Sequence, residues 1–153
     1  MIVAQPDDIA LVGTYRVQLR AGLTLDDLAK DEWLSTLADL GISHLYLSPP
    51  FEASEGSSHG YDVVDHRRVD PCIGGDAAFE RLAEAAHARG LGIIVDLVPN
   101  HMAVGVANPW WWDLLRNGMS SASASLFDLD WEVPEKRLHG RILLPVLADH
   151  LGR

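Results

Sequence analysis

An α/β protein built on a parallel sheet is the fold class that this sequence predicts, and three observations carry the expectation. Segments with strand and helix periods alternate as β-α-β-α-β between Thr14 and Val98, an order that right-handed crossovers turn into a parallel sheet. The run LGIIVDLV, Leu91 to Val98, is almost continuously apolar, as a parallel strand covered on both faces has to be. Polar clusters follow two of the strands, at the ends where α/β folds place their ligands.

The first strand is TYRVQL, Thr14 to Leu19, where Tyr15, Val17 and Leu19 alternate with polar neighbours. Thr24 then offers an N-cap with Asp27 three residues on. Leu25, Leu28, Leu37 and Leu40 return at roughly helical spacing until Gly41 stops the helix. Asp26, Asp27, Asp31 and Glu32 fall at the helix start, where negative charge is favoured, and read as its solvated face. The second strand is HLYLS, His44 to Ser48, ended by Pro49 and Pro50, which cannot donate to a ladder. A second helix is expected from about Asp76, with Phe79, Leu82, Ala83 and Ala86 facing the core and Gly90 closing it. Leu91 to Val98 is the third strand.

Composition narrows the function. The 153 residues suffice for one ordinary domain, and a net charge of −10 without any basic cluster argues against nucleic acid as a partner. A single cysteine, Cys72, precludes an internal disulfide, and no apolar run reaches the roughly 20 residues of a membrane span. The start, Met1-Ile2-Val3-Ala4 followed by Gln, Pro and two Asp, lacks the basic and apolar regions of a secretory signal. A cytoplasmic protein with no membrane partner is the expectation.

One connection breaks the pattern. About 26 residues separate strand two from helix two, where such loops take about 2 to 6, and no strand or helix period is visible in its central stretch SSHGYDVVDH, Ser57 to His66. The exit from strand three reads DLVPNHMAV, with Asp96 at the strand end and Asn100 and His101 beyond Pro99. Both clusters thus leave neighbouring strand ends on one rim. Tyrosine presents a flat apolar face to the CH side of a pyranose, and neutral His, Asn and Asp hydrogen-bond its hydroxyls, so a sugar suits the rim. A hydrolytic metal site is the competing reading, drawing on His59, Asp62, Asp65, His66, Asp96 and His101, but no HxH or HExxH spacing supports it. Further on, Gly105 to Asn108 reads as a linker into a Ser- and Ala-rich excursion with weak helix signals, whose alternation Phe127 to Trp131 suits a short strand. Trp110, Trp111 and Trp112 offer a sugar-binding wall, yet three adjacent tryptophans cannot all face one way, so at least one is expected in the core.

HLYLSP, GSSHGYDVVD and GIIVDLVPNHMA resemble, in order and spacing, the first third of the α-amylase superfamily of glycoside hydrolases, and Asp96, Asn100 and His101 match its first signature segment, D-x-x-x-N-H. With TYRVQLR, LYLSPPFEASEGSSHGYDVVD, PNHMAV, NPWWWDLL and LFDLDW included, the chain from about Thr14 onward is most similar to the maltooligosyltrehalose synthase family within that superfamily. The resemblance implies the N-terminal part of a (β/α)8 TIM barrel: about three β/α units over residues 1–106, then the start of an inserted subdomain over 107–153. It implies isomerisation of the reducing-end α-1,4 linkage of a malto-oligosaccharide to an α,α-1,1 linkage, with no cofactor. The alternatives are another α-amylase-type hydrolase of α-glucans or a non-catalytic glucan-binding fragment. By the same resemblance, Tyr61 stacks on the sugar, His101 hydrogen-bonds it, His59 and Asp62 shape the pocket, and Asp96 and Asn100 belong to the site. His66 lies outside the pocket.

A retaining mechanism needs a nucleophile and an acid about 5 to 5.5 Å apart. The resemblance places them on later strands, beyond Arg153. A closed barrel takes about 250 residues, so an incomplete barrel, inactive by itself, is the expectation for these residues alone. The ending RILLPVLADHLGR breaks off directly after what reads as another strand.

Overall fold

The computed structural model describes residues 9–20 and 22–144. The chain divides into two compact units, Met1–Val104 and Gly105–Arg153.

In the first unit, strands β1 (Thr14–Val17), β2 (His44–Leu47) and β5 (Gly92–Val95) form a parallel sheet in the order β1-β2-β5. Their register is level. Thr14, His44 and Gly92 align at one end and Val17, Leu47 and Val95 at the other. Gly92 is required by its partner, since a Cβ there would come within 2.3 Å of the His44 ring. Leu45 and Leu47 are fully buried with Val17 on the face that the helices cover. Arg16, Tyr46 and Ile94 share a register position on the opposite face. Ile93, Ile94 and Val95 stay half-buried, because β5 pairs on one side only. The expected two-sided burial of this strand is therefore absent among the described residues.

The expected first helix is two helices. Thr24 and Asp27 form a reciprocal capping box on α1 (Leu25–Leu28), and α2 (Asp31–Asp39) starts anew after an extended Lys30. Phase explains the break. At about 100° per residue a continuous helix would carry Leu34 about 240° around from Leu28 and off the core face. The kink at Lys30 returns Leu34 and Leu37 to the core beside Leu25 and Leu28. Leu40, expected on that face, is 70% exposed. Helix α3 (Gly75–His87) follows a 3-10 turn at Pro71–Ile73 and buries Ala78, Leu82, Ala83 and Ala86. Phe79 packs only partly against the core.

The long connection is not a plain loop. Strand β3 (Phe51–Ala53) pairs antiparallel with β4 (Val63–Val69), with register shifts on both sides of Glu52. The strand period of β4 was hidden because Val63, Val64 and Asp65 are all buried in succession. Asp65 tolerates this by a bidentate pairing with Arg67, at 2.7 Å to Nη2 and 2.9 Å to Nε.

A buried ion pair ties these parts together. Arg20 donates from Nη2 to Asp70 Oδ2 at 2.8 Å and to the Phe51 carbonyl at 3.1 Å, and from Nη1 to the Pro49 carbonyl at 2.8 Å. Asp70 also accepts from the amides of Ala53 and Cys72, at 3.1 and 2.9 Å. The two side chains are only 3% and 9% exposed. Burial alone would push the Asp70 carboxyl up, but the Cys72 and Ala53 amides and Arg20 outweigh it and hold it below the usual carboxylate range.

In the second unit Asn108 caps α4 (Pro109–Asn117), accepting from the amides of Trp110 and Trp111 at 3.1 Å, and Pro109 occupies the first turn. The helix is thus well started, against the expectation of a weak one. Trp111 is buried and packs edge-on to Phe127 with ring centroids 5.2 Å apart, while Trp112 is 47% exposed. Phe127 to Trp131 forms no strand, since no neighbouring strand is available to pair with it among the described residues. The further strand expected at the C-terminus falls largely on residues 145–153, outside the described residues.

Asp70→Asn leaves the Arg20 charge buried and unpaired, so it should cost about 3–5 kcal/mol at neutral pH, read as a lower urea midpoint. A depressed folded-state pKa stabilises above the unfolded carboxylate value of about 4 and stops doing so as pH falls through the folded value. The difference between wild type and variant should therefore shrink below about pH 4; a constant gap down to pH 2 would contradict this role for the ion pair.

Candidate functional site

Level strand ends build the site. Past the last ladder residues the backbone continues the pairing, with Ser48 N donating to the Val17 carbonyl at 2.9 Å and Asp96 N to the Leu47 carbonyl at 3.0 Å. Asp96 is thereby fixed on the rim at the end of β5. Tyr61 comes to it from the 54–62 turn joining β3 to β4, and Arg16 from the far side of the sheet on β1.

The Tyr61 hydroxyl is held between the two. It donates to Asp96 Oδ2 at 2.6 Å and accepts from Arg16 Nη2 at 3.1 Å. Its bond to Asp96 raises the phenol above the ordinary tyrosine range, with Arg16 pulling the other way. The root of the ring is also fixed. Tyr61 N donates to His59 Nδ1 at 3.0 Å, and His101 Nε2 donates to the Tyr61 carbonyl at 3.1 Å. These bonds assign His59 as a neutral ring protonated on Nε2 and leave Nδ1 of a neutral His101 as an acceptor.

Gly60 sets the approach. It sits at φ 80°, and a Cβ there would fall 2.3 Å from Arg20 Nη1 and 2.6 Å from the Pro49 carbonyl. The turn therefore lies directly on the buried guanidinium, and only glycine permits the contact. Ser57 Oγ bonds Asp62 and accepts from Gly60 N at 3.0 Å, closing the turn from inside. Burial pushes the Asp62 carboxyl up, but the Ser57 hydroxyl and a backbone amide bring it below the usual range.

The expected residues do not all converge. Tyr61, Asp96, His101 and His59 form one connected cluster, with Asp62 3.7 Å from His59 Nδ1. Asn100 is exposed on the same exit loop, with no hydrogen bond to the cluster among those described. His66 lies apart, on β4, where Nε2 donates to the Val98 carbonyl at 2.9 Å and the ring tilts against Phe51. Asp65 is committed to Arg67. Among the described residues, no three of the six side chains named for a metal form a group that could hold one. Sequence reasoning missed Arg16 and Gln18. Arg16 Nη1 donates to Gln18 Oε1 at 3.1 Å, and Gln18 Nε2 reaches the His59 carbonyl at 3.5 Å. Their signal was available: both are polar positions at the end of a parallel strand that opens on the same rim.

The profile of the alpha-amylase catalytic domain matches residues 31–135. The chain belongs to the alpha-amylase family. It is 49% identical over 145 residues to a Mycobacterium tuberculosis (strain ATCC 25618 / H37Rv) protein provisionally named maltooligosyl trehalose synthase, covering 90% of this chain and 18% of that protein. The solved maltooligosyltrehalose synthase of Arthrobacter ramosus superposes with a TM-score of 0.73 at 51% identity, over 78% of this chain and 16% of that one. The intracellular maltogenic amylase of Bacillus subtilis (strain 168) is 38% identical over 96 residues, 63% of this chain and 16% of that protein. The chain therefore spans less than a fifth of the length of each of these three relatives. No helix among the described residues is long and apolar enough to cross a membrane.

Gly60→Ala should lower stability by about 1–3 kcal/mol through the forced left-handed backbone, and by more if the Arg20 contact cannot relax. The expected readout is a thermal midpoint several degrees lower. An unchanged midpoint would mean that the turn does not rest on Arg20.

Proposed function

We propose that these residues form the first β/α units of a (β/α)8 catalytic domain that isomerises the reducing-end α-1,4 linkage of malto-oligosaccharides to an α,α-1,1 linkage. Residues 1–106 would supply barrel units and 107–153 the start of an inserted subdomain. The rest of the barrel would come from sequence outside this chain. The observation that carries the reading is the Tyr61 ring pinned between two strand ends on the rim, in a chain whose similarity to maltooligosyl trehalose synthases runs along nearly its whole length.

The residues divide the work. Tyr61 gives the sugar a flat face whose tilt is fixed at root and tip, so stacking loses little freedom on binding. His101, protonated on Nε2 by its bond to the Tyr61 carbonyl, offers Nδ1 to a sugar hydroxyl, while His59, Asp62 and Asn100 line the approach. Asp96 spends one oxygen on Tyr61 and keeps negative charge near a centre where positive charge develops as the glycosidic bond breaks. None of these is the nucleophile or the acid, which the reading assigns to later strands. The Bacillus amylase similarity favours hydrolysis as the second reading. Product analysis separates them, because isomerisation yields a non-reducing sugar and hydrolysis releases new reducing ends.

In the full-length protein, incubation with maltopentaose should consume reducing ends; a net rise would favour the amylase reading, and no turnover would overturn both. Tyr61→Ala should lower kcat/KM by about 100-fold or more, and Tyr61→Phe, which keeps the ring and loses the bonds to Asp96 and Arg16, by about 10-fold. His101→Ala should reduce kcat more than it raises KM. His66→Ala should leave kcat/KM within about 2-fold, and loss of activity in that variant beside near-native Tyr61→Ala kinetics would sink the sugar assignment.

A further inference from the structure

We propose that Arg16 is a positioning residue of the sugar site, holding the Tyr61 hydroxyl in its bond to Asp96 and so setting the plane of the ring on which the sugar rests. The proposal rests on the glucan-site reading and adds a residue to it.

The argument starts from proton count. A phenol has one proton and accepts with its lone pairs. Arg16, which has donors only, occupies an acceptor position of the Tyr61 oxygen, so the hydroxyl proton is directed to Asp96. Without Arg16 the hydroxyl keeps one anchor, and the ring is free to tilt about the root bonds. With it, the tip is held from both β1 and β5, which lie on opposite sides of β2. The guanidinium is itself braced, by Gln18 Oε1 at 3.1 Å and by the Tyr46 ring, whose centroid lies 5.6 Å from Cζ. That brace explains why a planar cation stands here, since a lysine ammonium would lack the fork that reaches Gln18 and Tyr61 together. Arg16 Nη2 also lies 3.9 Å from Asp96 Oδ2, with the Arg16 side chain 41% exposed. A residue this open contributes little to the core, so its removal should be felt in the site and not in the fold.

The test is a double-mutant cycle in the full-length protein, read on maltopentaose. Arg16→Ala should lower kcat/KM by about 5- to 10-fold, no more than Tyr61→Phe does, mostly through kcat, and Arg16→Lys should recover part of the loss. In a Tyr61→Phe background, Arg16→Ala should change kcat/KM by less than about 3-fold, because the group that Arg16 acts through is already gone. A second readout does not depend on turnover. Ultraviolet titration of the phenols, with the Tyr61→Phe trace subtracted, should show Tyr61 ionising at higher pH in Arg16→Ala, since a neighbouring cation favours the phenolate. Losses that add in the double mutant, with an unmoved Tyr61 titration, would overturn the proposal. If the wild-type protein converts no malto-oligosaccharide, the glucan reading falls and the positioning role falls with it, while the titration still shows whether Arg16 holds the Tyr61 hydroxyl.

Discussion

The Arg20–Asp70 pair is the constraint on which the first unit depends. It joins the segment after β1 to the proline pair after β2, to β3, and to the turn that starts α3, all through one guanidinium and one carboxylate. Two ions taken out of water this completely do not earn their place by Coulomb attraction alone; their bonds to backbone amides and carbonyls are what offset desolvation. The arrangement extends to the backbone, where Arg20 sits at φ 84° in a region that costs a non-glycine residue about 1–3 kcal/mol. Leu23 holds it there through a reciprocal pair of backbone bonds at 3.0 and 3.2 Å. Strain, burial and charge are thus concentrated directly beneath Gly60, one residue from Tyr61.

Above that foundation the site follows a division between rigid and polar parts. The strand ends are fixed by the ladder, and Asp96 inherits their position through its own amide. Tyr61 inherits nothing from a strand, since it belongs to a turn, and so it has to be tied at its amide, its carbonyl and its hydroxyl separately. Ser57 and Asp62 do for the turn what the ladder does for Asp96. A turn without ladder bonds of its own is thereby made stiff enough to hold an aromatic ring in one place.

Much of this was legible in the sequence, and the failures have physical causes. The parallel order, α3 and the rim position of Asp96 came from period and apolar runs, which record burial directly. The capping box announces helix α1, but nothing local marks its break from α2, because Lys30 carries no side-chain cap and only the phase between Leu28 and Leu34 betrays the kink. Strand β4 escaped because a buried Asp65 interrupts alternation, and an acid satisfied by its own neighbour two residues on looks like a loop residue. Tyr61, Asp96 and His101 are legible as side chains on segments leaving neighbouring strand ends, and family resemblance adds their roles, whereas Arg16 lies inside a strand and carries no such mark. A polar residue on a strand reads as solvent-facing unless its register against Tyr46 is known. Arg20 was invisible for a related reason, since nothing local marks an arginine for burial or for positive φ.

The bonds that make the rim span long stretches of chain, 45 residues from Arg16 to Tyr61 and 35 from Tyr61 to Asp96. Contacts of such separation form late, because loop closure has to be met before they return anything. While the chain is being synthesised, β1 and β2 can emerge and pair well before Asp96 exists, and the Tyr61 hydroxyl must wait for β5 to dock. The rim is therefore complete only once β5 has joined the sheet. On the proposed glucan reading, a sugar that recognises the tied ring would bind only chains that have already completed the sheet, and would shift the folding equilibrium towards them by mass action.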